Sequence, residues 1–184
     1  MIHSKLQPEN RQCVKSLIAA HEASGMLCKK QKETDRAIEH LEKALELLES
    51  SEDKNQLASV SDTLGMLYES KGQEDLALAK KHYSSAYSLY EKHVGRDKLA
   101  TSDCAFRLAG VLKKLQSSLA LDFYKESLRV RRLNVHKDDE RTGEILYFVG
   151  AILIKDKSFK LAVDSLEEVS TIIFHKFVTS AGAN

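Results

Sequence analysis

The chain has 184 residues, with one proline, eight glycines, no tryptophan and 42% hydrophobic residues, a helix-forming composition with enough apolar material for a core. Its 28 Lys+Arg balance 27 Asp+Glu for a formal net charge of +1, so the summed charge provides no electrostatic footprint for nucleic acid or an anionic membrane surface. The three cysteines, Cys13, Cys28 and Cys104, are odd in number and far apart, which excludes a secreted disulfide scaffold and points to a reducing, cytoplasmic setting. No apolar run approaches the ~18 residues that a membrane span needs, so membrane insertion is not expected. The first residues lack the apolar stretch of a signal peptide.

Taken in chain order, the predicted elements are helices in pairs. Val14, Leu17, Ile18, His21, Gly25 and Cys28 form a weak first stripe, and a turn over 30–33 leads to Ala37, Leu41 and Ala44. A polar link over 50–55 precedes the stripe Leu57, Val60, Leu64, Leu67 and Tyr68; a turn over 72–75 then leads to Ala79, Tyr83 and Ala86. After a link over 93–98, Leu99, Ala105, Leu108, Ala109 and Leu112 precede a turn over 115–118 and the trio Ala120, Tyr124 and Ser127. After a last link over 134–141, Leu146, Val149, Gly150 and Leu153 precede a turn over 155–158 and Ala162, Leu166 and Val169. Steps of four and three put each trio on one helical face. The first members of the trios are spaced 42, 41 and 42 residues apart, the signature of an internal repeat.

Small residues recur where the helices of each pair would cross: Gly25, Gly65, Ala109 and Gly150. Glycine costs roughly 1 kcal/mol relative to alanine inside a helix, so its recurrence implies close backbone approach. Thr34, Ser118 and Ser158 are expected N-caps of the second helices. The interval from Gly65 to Ala79 is two residues longer than that from Gly25 to Ala37, so the second turn is extended or its helix starts early. The expected fold is an all-α right-handed superhelix of about four helical hairpins over 10–177, with a leader over 1–9 and a tail over 178–184.

The pattern Leu64-Gly65-x-x-Tyr68-x-x-x-Gly72, followed by Ala79-x-x-x-Tyr83-x-x-Ala86, resembles the tetratricopeptide repeat. The usual period of that family is 34 residues. The longer period here resembles the 42-residue variant of kinesin light chains and nephrocystin-like scaffolds, as do the links Tyr90-x-x-His93-Val94-Gly95-x-Asp97 and Val130-x-x-x-Asn134-Val135-x-x-Asp138. The resemblance implies a non-catalytic protein-interaction module. The sequence departs from the family at the aromatic position early in the first helix, where His21, Ser61 and Ala105 stand, and lacks the helix-ending proline. The places that clamp acidic chaperone tails in some tetratricopeptide domains hold Glu22, Met26, Thr63, Asp103 and Arg107; only Arg107 matches, so such binding is not expected. The asparagine ladder of kinesin-light-chain grooves is replaced by Ala23, Thr63, Arg107 and Phe148.

Catalytic and cofactor signatures are missing. The seven histidines form no zinc spacing, and no phosphate-binding glycine loop or nucleophile elbow is present. Neither a metal nor a cofactor is expected. Asp138, Asp139 and Glu140 read as a solvated link and helix N-terminus, and Arg129, Arg131 and Arg132 as a solvated helix end. Cys104 reads as an inert thiol. Glu42 reads as an exposed position tolerant of alanine.

What remains is a surface. The stripe opposite the buried one should line a concave face. Its first half is small and polar, with Thr63 and Met66; its second half carries Phe106, Arg107, Lys113, Tyr147 and Phe148, types enriched at binding hot spots. Phe106 and Phe148 are equally suited to packing between helices. The partner expected there is a protein or peptide segment with an acidic residue flanked by apolar ones. The alternative is an assembly subunit that oligomerises through the last helix, which carries Ala162, Leu166, Val169 and Ile173 on one face and Val163, Ile172, Phe174 and Phe177 elsewhere.

Overall fold

A computed structural model describes residues 8–136 and 139–181. Among the described residues there are eight α-helices and no strand: α1 (Pro8–Lys30), α2 (Thr34–Glu49), α3 (Lys54–Lys71), α4 (Leu76–Leu89), α5 (Leu99–Lys114), α6 (Ala120–Asn134), α7 (Glu140–Lys155) and α8 (Phe159–Ala181). They pack as four hairpins. The chain divides into two compact units, Met1–Gly95 with α1–α4 and Arg96–Asn184 with α5–α8. Residues 1–7 of the expected leader and 182–184 of the expected tail lie outside the described residues, while 8–9 and 178–181 belong to α1 and α8.

The expected crossings are present. A Cβ on Gly25 would meet Leu41 at 2.7 Å, one on Gly65 would meet the Tyr83 ring at 2.6 Å, and one on Gly150 would meet Leu166 at 3.0 Å. Each neighbour is the middle residue of its trio. In the third hairpin Ala109 and Tyr124 occupy the equivalent places, both buried. The first three trios are buried throughout, whereas in the fourth only Ala162 is fully buried. Seven residues before the crossing, the second hairpin has Ala58, buried like the trio's last member Ala86, and the third has Ser102, paired with Ser127. Each serine hydroxyl donates to the other residue's carbonyl, at 3.0 and 2.9 Å, so a buried polar pair replaces two methyls without an orphaned donor.

Several local expectations are corrected. Thr34 and Ser118 are not N-caps; Glu33 and Leu119 hold those places, without side-chain capping bonds. The side-chain caps are acidic instead: Asp53 accepts from Gln56 N at the start of α3, and Asp139 from Thr142 N at the start of α7. Leu17 and Leu99, assigned to buried stripes, are exposed, and on α8 Ile172 is buried while Ile173 is exposed. The second turn is extended: Gly72, at φ 127°, leads into a short 3-10 turn, Gln73–Asp75. The other three hairpin turns share one left-handed residue, Lys32, Gln116 or Lys157. In each, the next residue's N–H returns to the carbonyl five before it, as Glu33 N does to Cys28 O at 2.9 Å, the Schellman closure of a helix end. After α4 the backbone widens into a π-helical turn over Tyr90–Gly95.

The basic run on α6 is not a solvated end. Arg131 is buried, and its guanidinium donates to Asp139 through Nε at 2.9 Å and Nη2 at 3.1 Å, and to Asp103 through Nη1 at 2.7 Å. Its neighbours pair outward, Arg129 with Glu126 and Asp97, and Arg132 with Glu168. Hydrogen bonding from Arg129 overcomes partial desolvation and, with Arg96, holds the Glu126 carboxyl down at about 2. The Arg131 fork likewise holds Asp139 below the usual carboxylate range, helped by the bonds from Thr142.

Candidate functional site

The five expected site residues of the second half lie on α5 and α7 within one compact unit. Four of them meet. Phe106 and Phe148 have ring centroids 6.0 Å apart, and both pack on Tyr124 of α6: Phe148 stacks on it at 5.4 Å and Phe106 meets it edge-on at 5.7 Å. Tyr147 meets the edge of Phe148 at 5.6 Å, and the Lys113 ammonium sits 4.1 Å from the Phe148 centroid. Cation–π contacts of this kind are worth about 0.5–1 kcal/mol at exposed sites.

Local sequence explains the placement. Phe106 and Tyr147 each stand three residues before the crossing residue of their helix, Ala109 or Gly150. They therefore lie about one turn before the crossing on the same side of the helix, where Phe106 meets Tyr124 of α6 while Tyr147 stays exposed. In the first unit the same register holds Glu22 and Asp62, and Glu22 is bonded to Gln56 of α3 at 2.9 Å. The same register thus holds carboxylates in one unit, with Asp62 buried, and aromatic rings in the other. Phe106 and Phe148 are half-buried against the core, whereas Tyr147 is 56% exposed. Arg107 is half-buried on α5. Met66, partly exposed, and Thr63, whose hydroxyl donates to Ser59 O, lie on α3 in the other unit.

Sequence reasoning missed two members. Tyr124 reads as a trio centre, yet its ring is the floor of the aromatic cluster. Arg141 has its guanidinium carbon 5.0 Å from the Phe106 centroid and also pairs with Glu144 at 3.0 Å. No spacing rule marks Arg141; it sits in the first turn of α7, where the link closes back. The result is an aromatic surface with cations against two of its rings. It suits apolar anchors accompanied by negative charge.

Among the described residues no three His, Cys, Asp or Glu side chains converge to hold a metal ion, and no helix is long and apolar enough to cross a membrane. His21 and His40 face each other across α1 and α2 with Nδ1 atoms 3.2 Å apart, a helix-packing pair. Cys104 is buried.

Comparison with known proteins agrees with this architecture. The tetratricopeptide repeat family model matches residues 16–79. No curated protein matches the chain in sequence. Among solved structures it is similar to BtubC (BKLC) from P. vanneervenii, with a TM-score of 0.77 at 14% identity over 95% of this chain and 68% of that one. It is also similar to the nearly identical TPR-like repeats of a Podosopora anserina kinesin light chain, with a TM-score of 0.70 at 12% identity over 94% of this chain and 81% of that one. A third is the Rap conjugation gene regulator of plasmid pLS20 in complex with the Phr* peptide, with a TM-score of 0.63 at 16% identity. There the match covers 91% of this chain but 45% of the regulator. The chain is therefore an all-α protein of the tetratricopeptide-like repeat fold, and residues 16–79 carry the sequence signature of that repeat.

Proposed function

We propose that the protein is a non-catalytic interaction module of the cytoplasm, of the 42-residue repeat subtype, that binds a peptide or protein segment on the α5–α7 face. The observation that carries this is the exposed Tyr147 set on the half-buried Phe106–Phe148–Tyr124 cluster beside Lys113. Rigid aromatic anchors next to a few cations are the composition of a binding hot spot. Arg107 supplies a planar fork for a carboxylate or a backbone carbonyl. The preferred segment carries an acidic residue flanked by apolar ones. Thr63 and Met66 are proposed for the corresponding α3 face of the first unit. The likeness in fold to a Rap regulator seen with a peptide supports this class of partner. The subtype rests on the spacing of 42, 41 and 42 residues between trios.

Selection from a random peptide library tests the proposal. Selected peptides should pair an acidic residue with apolar neighbours, and Arg107→Ala and Tyr147→Ala should each weaken binding by about 1–3 kcal/mol. Glu42, expected to be neutral, is unsuited as the control because it accepts the Tyr68 hydroxyl. Glu46, exposed on α2, serves instead. One observation favours the alternative of assembly through α8: Ile173 is 62% and Phe174 69% exposed on that helix. The side chain of Phe177 lies outside the described residues. Both groove variants binding like wild type while Phe174→Ser abolishes association would decide for assembly.

A further inference from the structure

The two units differ at one repeated place on the side away from the proposed peptide face. In the first unit, α2 and α4 flank α3, and the space between them is filled by Tyr68. Its ring stacks on His82 with centroids 5.4 Å apart, and its hydroxyl donates to Glu42. Counted from the crossing and trio-centre residues, these three places become Leu153, Ser165 and Lys125 in the second unit. A phenol is replaced by an isobutyl group, an imidazole by a hydroxymethyl and a carboxylate by an ammonium.

The volume once occupied by rings is open there. A groove of about 320 Å³ lies between α6 and α8, with Leu128, Leu146, Val149 and Leu153 lining its interior and Leu161 at its edge. Those four interior leucine and valine side chains are each under a tenth exposed, so the floor is continuous with the core, while Leu161 is 56% exposed. Lys125 and Arg132 line the α6 side; Asp164 and Glu168 line the α8 side. Arg132 and Glu168 close across it at 2.6 Å. The α6 wall has also reversed its charge relative to α2, where Glu42 and Glu49 hold the corresponding places.

We infer that this groove is a second docking site, taking an aromatic side chain from an acidic protein segment in the place that Tyr68 and His82 fill internally in the first unit. The floor requires an apolar, flat group of roughly phenol size. Lys125 supplies a donor where Glu42 supplies an acceptor, so the arriving segment carries negative charge on the α6 side. Burying an aromatic ring against such a floor is the main gain, and the rim fixes orientation.

The test uses the full chain and two probes. The first is p-cresol, titrated while methyl resonances are followed by NMR. The expected result is saturable shifts confined to Leu128, Leu146, Val149 and Leu153. Leu153→Tyr should fill the groove from within, abolish those shifts and raise the melting temperature by about 2–4 °C. Ser165→Tyr provides the same occlusion from the rim should the first variant fail to fold. The second probe is a short acetylated peptide with a central tyrosine between glutamates, compared with its alanine counterpart. Only the tyrosine peptide should shift the same methyls, and Lys125→Glu should weaken it by about two- to fivefold, the scale of an exposed charge pair. Absence of saturable shifts, or shifts that persist in both occluded variants, overturns the assignment. A concentration-dependent dimer that p-cresol dissociates also overturns it, because the occupant would then be a second copy.

Discussion

At the scale of single residues, the crossings set the strictest demands. A Cβ at Gly65 would lie 2.6 Å from the Tyr83 ring, which is fully buried and cannot swing away. Gly65→Ala should therefore destabilise by about 1–3 kcal/mol despite alanine's better helix propensity, read from chemical denaturation. At Gly150 the neighbour is the end of a leucine, 3.0 Å away, so alanine should cost less there while Gly150→Leu should overpack by a similar 1–3 kcal/mol. Arg131 is the other sensitive residue. Arg131→Ala removes the partner of Asp139 and Asp103 and should cost about 3 kcal/mol, whereas Arg132→Ala, at an exposed pair, should cost under about 1 kcal/mol.

The acid response belongs to the same residues. The folded state holds Glu126 at about 2 and Asp139 below its ordinary value. A carboxyl depressed on folding contributes stability that is present above its unfolded pKa, near 4, and lost as pH falls through the folded value. Stability should thus decline from about pH 4 down to about 2, and Glu126→Gln should flatten that decline in melting curves. No comparable loss from these groups is expected between pH 6 and 8, where both stay ionised.

At the scale of elements, the hairpin turns show a shared imperfection. Lys32, Gln116 and Lys157 hold left-handed conformations that cost an L-residue roughly 1 kcal/mol or more and glycine little. Each has its N–H bonded back to the helix, so the geometry is imposed by closure of the turn. Lys157→Gly should raise stability by about 0.5–1 kcal/mol, with Lys157→Ala neutral or worse, as measured in urea. The second hairpin reaches the same end with Gly72 and a longer path, so Gly72→Ala there should cost stability through backbone strain alone. Beyond the turns, the Ser102 and Ser127 hydroxyls each donate to the other residue's carbonyl inside the α5–α6 contact. Ser127→Ala leaves the Ser102 hydroxyl with the Ser127 carbonyl, so its cost should stay near the ~1 kcal/mol of one hydrogen bond.

At the scale of the whole molecule, stability should be distributed by neighbourhood, as in other repeat proteins. Gly65→Ala should speed hydrogen exchange most in α3 and α4, next in α1 and α2, and least in α7 and α8. Equal acceleration in all eight helices would mean a single cooperative unit instead. The functional asymmetry follows the same division: the register that holds Glu22 and Asp62 in the first unit holds Phe106 and Tyr147 in the second, which is why the peptide face is proposed there.

The repeat, its period and the crossings were legible in the sequence by itself, because burial on a helix writes a periodic pattern of small and large residues into the chain. Leu41, Tyr83 and Tyr124 could be assigned to the core from their spacing alone. The tertiary structure alone decided matters that depend on distant side chains. Arg131 reads as one more cation at a helix end until Asp103 arrives beside it from α5 and Asp139 from the start of α7. Glu42 reads as solvated until Tyr68 reaches across from α3. Leu17 and Leu99 fit an apolar stripe, yet both are exposed, Leu17 within α1 and Leu99 at the first residue of α5. Periodicity reports which face of a helix is apolar; what stands opposite that face, and whether it closes over a given residue, is fixed by long-range packing that local spacing does not encode.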